Sequence, residues 1–126
     1  MERALQNGEW KAATVLAGSV VEALLLRALQ QHPPEDVTTA VGTLVGNGTL
    51  RNPGSQLETW TLASYIEVAL ELRIIDPDTA TQARLAKDFR NLIHPGRAQR
   101  LGQICDRATA LSAVAAGEHV VRCLTP

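Results

Sequence analysis

Residues 12–26 read Ala-Ala-Thr-Val-Leu-Ala-Gly-Ser-Val-Val-Glu-Ala-Leu-Leu-Leu, an apolar run with one carboxylate, Glu22, inside it. Val15, Leu16, Val20, Val21, Leu24, Leu25 and Leu29 recur at helical spacing and fall on most sides of the cylinder. That pattern marks a central helix, or one that also buries a dimer face. At 15 residues the run is shorter than the about 20 a membrane span needs, so no membrane partner is expected. The helix should run from Glu9 to about Gln31. His32-Pro33-Pro34 ends it, because a proline pushes the preceding residue out of the helical region.

The flanking sequence reads as further helices. Residues 2–6 form a short lead-in broken at Asn7-Gly8, and 35–45 form a short helix. Asn47-Gly48 and Asn52-Pro53-Gly54-Ser55 are turn clusters, making 46–56 a surface loop. A helix from about Leu57 to Leu72 follows, with Leu62, Ile66, Ala69 and Leu70 on its core face. Asp76-Pro77-Asp78 is a helix start: an N-cap, a proline at the first helical position and an acid in the first turn. This helix should reach Ile93, directing Phe89, Leu92 and Ile93 to the core, and stop at His94-Pro95-Gly96. A last helix, about 102–124, would bury Ile104, Ala108, Leu111, Val114, Ala115 and Val121. The expected fold is all-α: a compact bundle of four to five helices, one domain over residues 1–126.

Composition agrees. Apolar residues make up 45% of the 126, near the globular average, and aromatics only 3%, fewer than a β-sandwich draws on. Cys105 and Cys123, placed on one helix, would stand roughly 27 Å apart, beyond disulfide reach. Two free thiols fit a reducing compartment, and with Met1 leading directly into Glu2-Arg3 the expectation is a cytoplasmic protein without a secretory leader. No CxxC, HExxH, Ser–His–Asp order or glycine-rich phosphate loop after a strand is present, so neither a metal nor a nucleotide cofactor is expected. His32 reads as a helix-end residue, and His119 beside Glu118 as a solvated pair.

The net charge of −1 hides an asymmetry. Residues 1–83 carry five basic and ten acidic side chains, and residues 84–126 seven and three. Arg84, Lys87, Arg90, Arg97 and Arg100 lie close together against a single acid, Asp88, which makes either an anion-facing surface or a solvated helix face. Within this segment Arg90 and His94 are four apart and share a helix face, with Asn91 flanking them. The chemistry suits a phosphodiester: arginine is a permanently charged bidentate donor to phosphate oxygens, and histidine can move the proton of a ribose 2′-hydroxyl near neutral pH. The same three residues at a helix end can also simply cap carbonyls. Glu22 would be costly in an apolar helix without a partner, and Arg90 or His94 is the natural one if the two helices pack together.

Two stretches carry a family resemblance. Trp10 to Leu25 resembles the first long helix of HEPN-like domains, and Arg90-Asn91-Leu92-Ile93-His94-Pro95 resembles their later RN…H helix. HEPN domains are small helical bundles, frequently dimeric, of prokaryotic toxin–antitoxin and defence systems, and many are metal-independent ribonucleases. The resemblance implies catalytic roles for Arg90 and His94, with Asn91 at the polar position after the arginine. It further implies RNA, an antitoxin or another protein partner, and a second copy of the chain as partners. Three residues separate Arg90 from His94, fewer than in the family's catalytic signature. Two functions are therefore carried forward: a metal-independent endoribonuclease, and a non-catalytic dimeric module that binds RNA, a nucleotide or a protein. In either, Glu22, Arg84, Lys87, Arg97 and Arg100 are the candidate binding residues.

Overall fold

A computed structural model describes residues 1–6, 8–91 and 106–125, the side chain of Leu5 excepted. Among them are six α-helices and no strand: α1 (Glu2–Gln6), α2 (Trp10–Gln30), α3 (Pro34–Gly46), α4 (Leu62–Glu71), α5 (Pro77–Asn91) and α6 (Arg107–Leu124). The expected all-helical class is present, with six helices described where four to five were expected. Asn7, the end of the α5 segment at His94-Pro95-Gly96, and Leu92, Ile93, Arg97, Arg100, Ile104 and Cys105 lie outside the described residues.

The central helix is α2, which packs against α4, α5 and α6. With 21 residues and a mean hydropathy of 1.7 over its most apolar window, it meets the length and composition of a membrane span, more than the 15-residue run suggested. Here it serves as the spine of the bundle. Val21, Leu25 and Leu29 are fully buried in a core shared with Tyr65, Ile66, Val68 and Val120. On its far side, among the described residues, Ala12, Leu16, Ser19 and Ala23 are exposed, Leu16 at 42%.

Three local expectations are corrected. The helix expected over 57–72 is split: Leu57–Thr59 is a 3-10 turn, Trp60 is extended, and Thr61 caps α4 by accepting from the Ser64 N–H at 3.3 Å. The last helix starts at Arg107, because Asp106 is extended and its carboxylate accepts from the Thr109 N–H at 2.9 Å. Cys105, expected on one helix with Cys123, lies outside the described residues. The buried face of α6 is also rotated. Ala110, Ala113, Val114, Ala116, Gly117 and Val120 face inward, while Ala108, Leu111 and Ala115 are exposed and Val121 is half-buried. Close approach to α2 selects small residues on this face. A Cβ on Gly117 would stand 3.4 Å from the Ala17 Cβ and 3.6 Å from its backbone oxygen.

Helix α5 begins as expected, the Asp76 carboxylate accepting from the Thr79 N–H at 2.7 Å. Thr79, Ala80, Ala83 and Ala86 form its buried stripe. Arg90 lies one turn past Ala86 on the same side, which carries its side chain onto α2. Phe89, expected in the core, is only half-buried.

Candidate functional site

The polar centre of the bundle forms where the last turn of α5 crosses the middle of α2. Arg90 extends its aliphatic stem across Gly18 and places Nη1 2.7 Å from Oε2 of Glu22. Gly18 and Glu22 are one helical turn apart, so the first makes room for the stem and the second receives the charge. The fit is tight: a Cβ on Gly18 would meet the Arg90 Cδ at 2.6 Å, Cβ at 3.0 Å and Cγ at 3.1 Å. The Glu22 partner expected from sequence is thus Arg90. Neither side chain is sealed off, Arg90 being 27% and Glu22 41% exposed, so a ligand can reach the pair from solvent.

The neighbouring cations are also matched. Arg84 makes a two-point contact with Glu67, Nε to Oε2 at 3.1 Å and Nη2 to Oε1 at 2.9 Å, and this hydrogen bonding raises its already high pKa. Lys87 Nζ lies 3.7 Å from the Asp88 carboxylate. Each of the three basic candidates that is described therefore has a carboxylate within 4 Å, and α5 presents less free positive charge than its sequence suggests. Asn91 is half-buried at the last position of α5. His94, Arg97 and Arg100 lie outside the described residues.

Two features went unread in the sequence. Gly18 as the seat of Arg90 is one; its signal was a glycine one turn before a lone carboxylate in an apolar helix. The other is a cluster joining α5 to α6. The buried Thr79 hydroxyl donates to Cys123 Sγ at 3.2 Å and lies 3.4 Å from His119 Nε2. His119 is half-buried there rather than solvated with Glu118, which instead bonds Glu2 of α1, and that contact raises the Glu118 pKa. His32 lies two residues past the end of α2, its Nε2 3.8 Å from the Asp36 carboxylate. No group of three or more His, Cys, Asp or Glu that could hold a metal occurs among the described residues.

Comparison of the chain with family models, curated proteins and solved structures gives no match.

Proposed function

We propose that this chain is a HEPN-like domain acting on RNA at the α2–α5 crossing, of the kind found in prokaryotic toxin and defence systems. The observation that carries the reading is the Arg90–Glu22 pair seated on Gly18. It is a partly exposed arginine whose Nη1 is held by Glu22, and a guanidinium carries further N–H donors with which to meet a phosphate oxygen. His94, one turn on in sequence, supplies the group that takes the 2′-hydroxyl proton. The exposed face of α2 is where a second copy docks, giving a homodimer.

A non-catalytic reading has its own support. Arg84, Lys87 and Arg90 each sit against a carboxylate, which weakens their pull on a polyanion, and the Arg90–His94 spacing is short. Cleavage of RNA in EDTA separates the two. The nuclease leaves 2′,3′-cyclic phosphate ends and loses activity in both Arg90→Ala and His94→Ala. Intact RNA with folded wild-type protein rejects the nuclease and leaves the binding module.

A further inference from the structure

A cavity lies away from Arg90, at the C-terminal end of α2, about two turns beyond Glu22. Its volume is about 660 Å³, within the range of small-molecule sites. Leu29 forms the floor, α3 one wall, and the segment from Asn52 to Trp60 the other.

Both walls are fixed. On the loop side the Trp60 indole N–H donates to the Gly54 carbonyl at 3.0 Å, and the Tyr65 hydroxyl donates to the Leu57 carbonyl at 2.6 Å. The Asn52 side chain accepts from the Gly54 N–H at 3.0 Å. An irregular segment is thereby pinned to the core by two aromatic side chains and held off α3. On the helix side Val41 and Val45 face the cavity, and between and after them stand Gly42 and Gly46, where an added Cβ would meet nothing within 4 Å. Glycine inside a helix is less favourable than alanine. No packing contact calls for Gly42, whose effect is to leave the backbone bare along that wall.

The chemistry of the lining defines what would fit. The interior is apolar, and His32 is the one ionisable residue among those lining it, with no lysine, arginine or carboxylate. A phosphate-bearing ligand finds no counter-charge here, which sets this site apart from the RNA reading and makes it independent of it. Gln30, His32, Asn52 and Ser55 offer hydrogen bonds. We propose that this cavity binds an uncharged, planar aromatic molecule carrying one hydrogen-bonding end, its ring lying between the bare glycine wall of α3 and the Trp60 segment.

The test is titration of the whole chain with 2-naphthol, followed by backbone amide shifts, with dodecanoate as an aliphatic comparison. The proposal expects saturable shifts confined to α3 and residues 52–60, and at least a tenfold weaker Kd in Gly42→Leu, whose side chain enters the cavity. Val45→Phe, at a 38% exposed position, is the second blocking variant should Gly42→Leu alter the fold. Absence of saturable binding, binding untouched by a folded blocking variant, or binding of dodecanoate alone would each overturn it. So would shifts at these residues that grow with protein concentration without any probe, which would assign the cavity to a second copy.

Discussion

Gly18 decides how Arg90 sits. Replacing it with alanine gains about 1 kcal/mol of helix propensity. The added methyl would stand 2.6 Å from the Arg90 Cδ and 3.0 Å from its Cβ, an atom that moves only with the backbone of α5. Overpacking of this kind costs about 1–3 kcal/mol, so the clash prevails and Gly18→Ala should lower stability by about 1 kcal/mol in a denaturant melt. Glu22→Gln is the complementary change. The pair is partly exposed, and such pairs contribute under about 1 kcal/mol, so the stability loss should be small. A large loss would mean that the pair holds the bundle together rather than orienting a side chain. That Glu22 needs a partner was legible from the apolar run around it. The choice of Arg90 followed from packing, since only the buried alanine stripe of α5 shows which of its faces meets α2.

At the scale of the helices, the capping carboxylates set the acid limb of stability. Backbone and side-chain hydrogen bonds from Thr79 hold Asp76 below the usual carboxylate range, and those from Thr109 do the same for Asp106. A lowered folded-state pKa gives stability that is present above the unfolded value and lost as pH falls through the folded one. Glu118 has the opposite sign: bonding to Glu2 raises it, so its contribution exists at low pH and disappears as pH rises through its folded value. Asp76→Asn and Asp106→Asn, which keep a capping oxygen, should therefore flatten the fall of Tm below pH 4, whereas alanine at either site lowers Tm at neutral pH as well. Helix starts with a cap and proline, as at Asp76-Pro77, could be read directly. The break at Trp60-Thr61 was missed: Thr61 offered a capping hydroxyl, but the indole bond to Gly54 that holds Trp60 extended is a loop contact that no helical spacing encodes. The face of α6 was misread for a related reason. Periodicity favours Leu111, but the close approach of Gly117 to Ala17 turns the small residues inward.

For the whole molecule, α2 joins the core and the surface. Ala12, Leu16, Ser19 and Ala23 share one exposed face of the same helix that carries Gly18 and Glu22 on another. If a second copy covers it, Leu16→Glu should convert a dimer to a monomer in light scattering without unfolding the chain, since Leu16 contributes little to the core. A wild-type monomer at all accessible concentrations would reject the dimer. The helical class was legible from composition and periodicity together. The site was legible only as a set of residue types, because Arg84 reads as a free cation until the fold places Glu67 beside it.

The most direct test of the RNA reading is affinity for 2′-O-methylated RNA, which cannot form the cyclic phosphate, measured across a salt series for the wild type and Arg90→Gln. If Arg90 holds a backbone phosphate, wild-type binding weakens steeply with salt, and the variant binds more weakly with a slope shallower by about one charge. Equal affinities and slopes for the two proteins, or no binding by the wild type even at low salt, would contradict the account.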